Sequence, residues 1–316
     1  MLISDRLYGK FEIDSPVLIE LINSPSVQRL KGIGQYGVPD EFYNLKNFSR
    51  FEHSVGVMLL LKRLGADEEE QIAGLLHDAS HTAFSHVIDY LVGSTAEENY
   101  QDINHLQRLS RTELGSILGK HGYSLETISD YHCFGLLEQP TPEICADRLD
   151  YALREFPKNS IKYHLDGLTT VDGKIVFKDK IGARFFAEKF LGLQQTNWGG
   201  VEAVNRFRDF AEALQCALDS NCIVFDDFDR DDAYVTDKLK RCDNSRIRTI
   251  LQALSDKDIS HFEWNGEVIP KKFRHVDPLI LDRVGTVRLS ETDEDWAIML
   301  EKARQKNLKG VPLYKI

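Results

Sequence analysis

Two polar stretches flank an apolar run and together decide the fold: Arg50-Phe51-Glu52-His53 precedes the run and His77-Asp78-Ala79-Ser80-His81 follows it. Residues 55–61 carry one glycine and otherwise apolar side chains, which predicts a helix buried on most sides. Gly65-Ala66 ends that helix. Asp67 then predicts an N-cap, with three glutamates in the first turn of a second helix, where carboxylates suit the positive end of the dipole.

The two predicted helices have matching lengths. Residues 53–64 rise roughly 16 Å and residues 67–77 about 15 Å, at ~1.5 Å per residue. A short connection makes them antiparallel neighbours, so we expect His53 to lie beside His77 and Asp78. Two imidazoles and a carboxylate in an apolar setting are typical of a metal site. The alternative, a buried histidine and an aspartate that only cap helix ends, is disfavoured by the matched lengths.

Length and charge limit the classes of function. A chain of 316 residues can bury a core in one large domain or two closely packed ones. A net charge of −11 disfavours a general binder of nucleic acids or anionic membranes. The sequence shows no secretory signal over residues 1–10 and no apolar run of membrane-spanning length. Five cysteines lack a paired spacing, so we expect free thiols and a cytoplasmic protein.

Helical periodicity elsewhere predicts a mainly α fold. Ser24-Pro25 predicts a helix start, and Asp172-Gly173 predicts a β-hairpin at 168–177. We expect a helical unit over 1–165, and a helical region with β-hairpins over 166–316 packed on it. Further helices are predicted at about 96–120, 141–153, 180–195, 200–219, 232–241, 244–254 and 292–306.

Half of the ten histidines lie within about fifty residues: His53, His77, His81, His86 and His105. His81 follows His77 by four residues, so a continued helix would place both on one face, and ligand and phosphate-binding roles both stay open for it. We interpret His86 as structural. The remaining histidines are interpreted as surface or core residues: His121, His132, His164, His261 and His275.

A metal site would need a further carboxylate, and Asp147 is the best candidate. It lies on a strongly periodic predicted helix and shares a stripe with Tyr151 and Arg154. Asp150 and Arg154 are equally well spaced for an ordinary helix ion pair. Gln35 lies at the centre of a glycine-containing loop where a backbone can approach a ligand closely, although loop glycines most often form turns.

These residues resemble the HD superfamily of metal-dependent phosphohydrolases. The resemblance rests on residues 50–54, on His77-Asp78 with His81, on Phe84-Ser85-His86 and on residues 146–151. It is greatest to the branch of deoxynucleoside triphosphate triphosphohydrolases, whose amino-terminal pattern is similar to Asp5-Arg6-Leu7-Tyr8-Gly9 and Gln28-Arg29-Leu30 here. It covers roughly residues 4–160 and implies an HD-type helical core.

The resemblance implies a role for individual residues. Its implied metal ligands are His53, His77, Asp78 and Asp147. The implied phosphate-lining residues are Arg50, His81, Arg148 and Tyr151, and Gln35 lies where the family contacts base and sugar. Asp78, His81 and His105 are the implied catalytic group. The family often has His-Glu where this chain has His105-Leu106, and Glu155 replaces an aspartate that meets the sugar hydroxyl, so both assignments depart from the family pattern.

The implied mechanism is metal-assisted hydrolysis of a phosphate ester. The metal lowers the pKa of a water molecule, His105 assists the leaving oxygen, and Arg50 and Arg148 neutralise phosphate charge. Mixed histidine and carboxylate ligation fits Mn, Fe, Zn, Co or Ni, and Mg could assist at the phosphates.

Hydrolysis of a dNTP to deoxynucleoside and triphosphate is the favoured activity. The alternatives are hydrolysis of a nucleoside monophosphate or another small phosphoester, and a catalytically inactive scaffold or regulatory protein. A nuclease is disfavoured by the negative charge. The expected partners are a nucleotide or small phosphoester and further copies of the chain in a homo-oligomer, with neither a membrane nor nucleic acid.

Overall fold

A computed structural model describes residues 1–45, 47–256, 263–283 and 285–315. The interpretation of His261 falls outside these residues. The helices are α1 (Pro16–Ile22), α2 (Pro25–Arg29), α3 (Arg50–Leu64), α4 (Glu68–Leu76), α5 (Val87–Leu91), α6 (Tyr100–Leu109), α7 (Leu114–Lys120), α8 (Leu125–Ser129), α9 (Ala146–Glu155), α10 (Lys158–Asp166), α11 (Lys180–Leu193), α12 (Val201–Asp219), α13 (Asp232–Arg241), α14 (Ser245–Ser255), α15 (Leu289–Thr292) and α16 (Glu294–Asn307). The strands are β1 (Leu2–Asp5), β2 (Gly9–Glu12), β3 (Leu168–Val171), β4 (Lys174–Phe177), β5 (Glu263–Ile269), β6 (Leu279–Asp282), β7 (Gly285–Arg288) and β8 (Val311–Lys315).

The mainly α prediction is confirmed, and α3 and α4 form its centre. Ser49 caps α3 in a capping box with Glu52, and Gly65 ends it in the left-handed conformation, with φ +83°. The Asp67 carboxylate accepts the Glu70 amide hydrogen at 2.8 Å, as expected of the N-cap of α4. The side chains of 55 and of 57–61 are almost completely buried, so α3 is surrounded by protein.

Small sheets flank the helices. The hairpin predicted at 168–177 is present as β3 and β4, and β4 continues through a parallel pairing with β6 and then antiparallel β7. Strands β1 and β2 form a second hairpin at the start of the chain. Strands β5 and β8 pair antiparallel, and the sequence analysis did not predict β8.

Two predicted helix bounds were wrong. The helix predicted over 96–120 is two helices, because after α6 the amides of Arg111 and Thr112 bond to carbonyls only three residues back and the chain turns. The helix predicted from Thr141 begins at Ala146. Its first amide donates to the carbonyl of Leu136 at 2.7 Å, and Cys145 is extended.

Two large hydrophobic clusters of the described residues each contain residues from both sides of position 165, and a third, small cluster consists of Val204, Val311 and Leu313. One large cluster extends from Tyr8 to Ala303 and the other from Tyr36 to Leu254. The division into units at residues 165 and 166 stays a prediction. No helix in the described part of the chain is both long enough and apolar enough to span a membrane.

The expectation that all five cysteines are free thiols was wrong for two of them. Cys222 and Cys242 form a disulfide with a Cα–Cα distance of 5.7 Å. Cys222 follows the end of α12 and Cys242 ends α13, and these helices pack together within the second hydrophobic cluster, which brings together two cysteines whose sequence spacing of 20 gives no signal. Cys133, Cys145 and Cys216 are free. The cytoplasmic location stays a prediction.

Candidate metal centre

Four side chains from three helical segments converge at the end of the α3–α4 pair. The Nε2 atom of His53 lies 3.0 Å from Asp147 Oδ1, 3.3 Å from His77 Nε2 and 3.6 Å from Asp78 Oδ2. His77 Nε2 lies 3.6 Å from Asp147 Oδ1 and 3.5 Å from Asp78 Oδ1. His53 comes from the first turn of α3, His77 and Asp78 follow α4, and Asp147 lies in the first turn of α9. The structure therefore brings the four predicted ligands together: His53, His77 and Asp147 offer ligand atoms within 4.8 Å of one another, and Asp78 lies beside both histidines.

The chemistry of these four groups fits a divalent cation. His53 Nδ1 donates to Asp150 Oδ2 at 2.8 Å, and His77 Nδ1 donates to the Gly74 carbonyl at 2.8 Å. Both Nε2 atoms then face Asp147 Oδ1, at 3.0 Å and 3.6 Å, an arrangement that needs a cation or a proton between them. Burial opposes protonation, yet the charges of Asp78 and Asp147 outweigh it and raise the pKa of His77 to about 9. Hydrogen bonds from both histidines offset burial and hold the pKa of Asp147 well below its usual value.

Asp147 also belongs to a second cluster, with Glu138 and Cys145. Glu138 Oε1 is already paired with Arg148 Nη2 at 2.9 Å, and burial raises the pKa of the Cys145 thiol, which keeps it protonated. The histidine-containing group is therefore the better metal site.

A buried network behind His53 fixes its orientation. Asp150 is fully buried and also accepts the Tyr8 hydroxyl at 2.8 Å and Arg154 Nε at 2.6 Å. Arg154 Nη2 reaches Asp5 Oδ2 at 3.0 Å. The amino-terminal hairpin thus contacts the metal centre through Asp150, a supporting role that the ion-pair interpretation of Asp150 missed. The sequence feature that indicates this role is that Asp150 lies three residues after Asp147, on the same face of the helix.

Gly56 permits this arrangement. A Cβ atom at that position would lie 2.0 Å from Arg154 Nη2 and 2.2 Å from Asp150 Oδ1. Gly56 lies about one turn after His53 on α3. Because Gly56 has no side chain, the buried ion pair between Asp150 and Arg154 of α9 lies directly against the α3 backbone.

Arg50 connects the metal centre to a strained turn. Its Nη1 donates to Asp78 Oδ2 at 2.6 Å and its Nε donates to Ser85 Oγ at 3.0 Å, while Nη2 is buried without a partner among the described residues. Phe84 and Ser85 both adopt positive φ, 64° and 46°. Ser85 donates in turn to the Gly34 carbonyl at 2.7 Å, which ties the turn to the loop that carries Gln35.

A cavity of about 370 Å³ opens beside these residues. That volume lies in the range of small-molecule sites, about 300–1,000 Å³. Most of the predicted site residues line it: Gln35, Arg50, His77, Asp78, His81, Asp147, Arg148, Tyr151 and Glu155. Gln35 Oε1 and His81 Nδ1, like Arg50 Nη2, are buried without a partner in the described structure. Orphaned polar groups on a cavity wall indicate a polar ligand.

Two predicted substrate contacts already have protein partners. Arg148 pairs with Glu138, and both oxygens of Glu155 accept hydrogen bonds at 2.6 Å, one from Asn197 Nδ2 and one from Trp198 Nε1. The two donors lie in a wide helical turn, residues 194–198, that follows α11. Glu155 therefore lies at the cavity but is held by this turn.

His105 does not line the cavity. It is 2% exposed, and its Nδ1 contacts Ser80 Oγ at 2.7 Å and Gln101 Nε2 at 3.1 Å. Burial, followed by the positive charge of His77, lowers the pKa of His105 to about 4. The structure places it behind Ser80, one layer away from the four converging groups.

His86, interpreted from sequence as structural, does line the cavity. Its Nδ1 lies 3.0 Å from Asp89 Oδ2, and its ring centre is 5.2 Å from that of His81. Asp89 is buried and its other oxygen accepts the Tyr100 amide hydrogen at 3.0 Å. A histidine oriented by a buried carboxylate is the usual arrangement for proton transfer. The spacing of three residues between His86 and Asp89 is the sequence feature that indicates this pair.

Three further cations on the cavity wall, Lys271, Lys272 and Arg274, were not predicted from the sequence. They lie in the irregular segment between β5 and β6. The signal was a run of basic residues in a chain whose net charge is negative.

Comparison with known proteins is consistent with this geometry. A family model described as HD domain matches residues 50–155. The uncharacterized protein YdhJ of Bacillus subtilis is 39% identical over 98% of this chain and 98% of its own length. The metal-dependent phosphohydrolase cns2 of Cordyceps militaris is 45% identical over 49% of this chain and 45% of its own. The deoxynucleoside triphosphate triphosphohydrolase SAMHD1 of Homo sapiens is 36% identical over 28% and 16%. The chain therefore spans less than half the length of the last two.

Proposed function

We propose that the chain, which belongs to the HD-domain family of metal-dependent phosphohydrolases, hydrolyses a deoxynucleoside triphosphate to deoxynucleoside and triphosphate. The observation that carries the proposal is the convergence of His53, His77, Asp78 and Asp147 beside a cavity, which the last three line together with Arg50, whose Nη2 has no partner among the described residues. The partial likeness to a deoxynucleoside triphosphate triphosphohydrolase supports the choice of substrate.

The proposed reaction is a single displacement at phosphorus. The oxygen of a water molecule forms a bond to the α-phosphorus, the bond from that phosphorus to O5′ of the sugar breaks, and O5′ takes up a proton. A divalent cation held by the four converging side chains supplies Lewis-acid polarisation and lowers the pKa of water. The donor set of histidine nitrogen and carboxylate oxygen suits Mn, Fe, Zn, Co or Ni, with Mg a further possibility at the phosphates.

The chain's own groups position the phosphate and supply the proton. Arg50 is fixed by Asp78 and Ser85, so its free Nη2 can donate to a phosphate oxygen with little loss of side-chain entropy. We assign the proton transfer to His86, because it lies at the cavity with Asp89 behind it. His105, which is buried behind Ser80, then supports the loop that carries His77 and Asp78.

One assay tests the activity. Purified protein is incubated with Mn and a panel of deoxynucleoside triphosphates, and the products are separated by ion-exchange chromatography. Intact triphosphate together with unphosphorylated deoxynucleoside is the expected result. Release of orthophosphate or pyrophosphate alone would refute cleavage at the α-phosphate, and a panel without products from metal-loaded protein would refute the activity.

The alternative substrate, a nucleoside monophosphate or another small phosphoester, is favoured by one observation. Glu155 is occupied by Asn197 and Trp198, so its carboxylate is not free to select a sugar hydroxyl. Faster turnover of monophosphates than of triphosphates in the same assay would support this alternative. We also propose a homo-oligomer in the cytoplasm, which light scattering and cell fractionation would test.

A further inference from the structure

A short segment of the carboxy-terminal half brings three positive charges to the cavity wall. Lys271, Lys272 and Arg274 lie in consecutive irregular backbone between β5 and β6. They are far in sequence from the four converging ligands, and they lie outside residues 50–155, which the HD family model matches. We call residues 271–274 the cationic segment.

One buried carboxylate fixes two of the three charges. Glu98 is 2% exposed, and its oxygens pair with Lys271 Nζ and Arg274 Nη2. Those two cations outweigh burial and hold the pKa of Glu98 well below its usual value, so it stays ionised. Glu98 also adopts φ +48°, an unfavourable conformation for a residue with a side chain, which the two ion pairs offset.

Backbone contacts hold the cationic segment from both sides. The Lys271 carbonyl accepts Asn307 Nδ2 from α16 at 2.8 Å, and the Lys272 carbonyl accepts Gln194 Nε2, next to α11, at 3.0 Å. Side chains placed on backbone fixed in this way lose little further freedom when a ligand binds.

Lys272 is the cation of this segment that Glu98 does not pair with. Among the described residues its ammonium group makes neither a hydrogen bond nor an ion pair, and its side chain is exposed toward the cavity. Partial burial, followed by the positive charge of Arg274, lowers the pKa of Lys272, and the charges of Glu98 and Asp102 oppose this shift. Three cations against two carboxylates, Glu98 and Asp102, leave an excess of positive charge around Lys272, in a chain that is acidic overall. An anion bound here would relieve the repulsion.

We propose that the cationic segment is a subsite for the distal phosphates of a nucleoside polyphosphate, with Lys272 as the residue that contacts them. Arg148, which directly follows Asp147 in α9, lines the same cavity as Lys272, so the cationic segment and the candidate metal centre face one space. A triphosphate carries two more charged groups than a monophosphate, and these groups need cationic partners beyond the candidate metal centre. This inference rests on the proposed function and selects the polyphosphate as substrate class.

The test compares Lys272→Ala, Lys272→Arg and Lys302→Ala in the full-length, metal-loaded protein. Lys302 lies on α16 away from the cavity, so its variant is a matched loss of one surface charge. We expect Lys272→Ala to raise KM for a deoxynucleoside triphosphate by about 10- to 100-fold, the effect of one charge-assisted hydrogen bond. KM for a deoxynucleoside monophosphate, and kcat for either substrate, should change far less. Lys272→Arg should restore most of the affinity.

Binding of inorganic tripolyphosphate, measured by calorimetry, separates the subsite from the activity. If the wild type hydrolyses no triphosphate but Lys272→Ala still binds tripolyphosphate about 10-fold more weakly, the proposed function fails and the subsite stands. If the wild type releases triphosphate but Lys272→Ala matches Lys302→Ala in KM and in tripolyphosphate binding, the subsite is refuted. An equal rise in KM for mono- and triphosphate would also refute it.

Discussion

Replacing Asp150 with asparagine should weaken metal binding without removing any of the four converging ligands. Asp150 is fully buried and accepts hydrogen bonds from His53, Tyr8 and Arg154. Burial raises the pKa of Asp150, but Arg154 and His53 outweigh burial and lower it overall, so the group acts as a carboxylate. The Asp150→Asn side chain keeps the size and loses the charge.

The magnitude follows from the partners that remain. An amide oxygen cannot accept from all three donors as a carboxylate does, and Arg154 keeps Asp5 as its partner at 3.0 Å. Breaking a buried ion pair costs about 3–5 kcal/mol, and the retained Asp5 contact places the expected loss of unfolding free energy near the lower bound, about 3 kcal/mol. Loss of the carboxylate behind a metal-ligating histidine typically lowers metal affinity by about 10- to 100-fold.

Two measurements distinguish these effects. Metal affinity is determined by competition with a chelator under conditions in which circular dichroism shows the variant to be folded, and stability is determined by urea unfolding without metal. Asp166→Asn is the matched control, because Asp166 is half-exposed and its ion pairs with Arg63, at 3.0 Å, and with Lys162 should each contribute at most about 1 kcal/mol. Metal affinity of Asp150→Asn within about two-fold of the control would refute the orienting role of Asp150.

Three further predictions concern residues around the centre. Gly56→Ala should lower metal affinity and stability together, because its methyl group would displace Arg154, and unchanged values in the chelator and urea experiments would contradict the close approach. His86→Ala should retain the metal, as measured by elemental analysis, and should lose most of its kcat. His105→Ala should retain the metal and most of its kcat, because His105 is buried away from the cavity. A lower kcat for His105→Ala than for His86→Ala would instead assign the proton transfer to His105. Burial lowers the pKa of His164 to about 4, below its unfolded value of about 6.5, so its contribution to stability is full above pH ~6.5 and is lost as the pH falls toward 4. His164→Phe should flatten that part of the pH–stability curve in urea titrations, and an unchanged curve would contradict this.

The helix pair and the convergence of its ligands could be predicted because they follow from local patterns. His53 and His77 lie at similar distances in sequence from the connection between α3 and α4, and this spacing, with the apolar run and the cap at Asp67, places both histidines at the same end. Asp147 could be predicted as a candidate ligand because the apolar residues of its helix are strongly periodic. Each of these steps depends on spacing within one segment or on a short connection.

The other features depend on contacts between distant segments, for which sequence periodicity gives no signal. Glu98 and Lys271 are 173 positions apart, and the cationic segment has neither helical nor strand periodicity. His105 belongs to the histidine-rich part of the sequence, yet α6 turns it behind Ser80, which no spacing rule anticipates. The pairing of Cys222 with Cys242 likewise depends on how α12 and α13 pack.

The candidate metal centre is therefore built from the segment that matches the HD model but is positioned by the rest of the chain. Residues 50–155 contain all four converging ligands. Tyr8 and Asp5, which precede that segment, fix the network behind His53, while the cationic segment and Trp198, which follow it, supply a wall of the cavity. Substitutions outside the HD segment should then change substrate choice and metal affinity separately. Those in the cationic segment should change the preference for triphosphate over monophosphate substrates, and those in the amino-terminal hairpin should change the affinity for the metal.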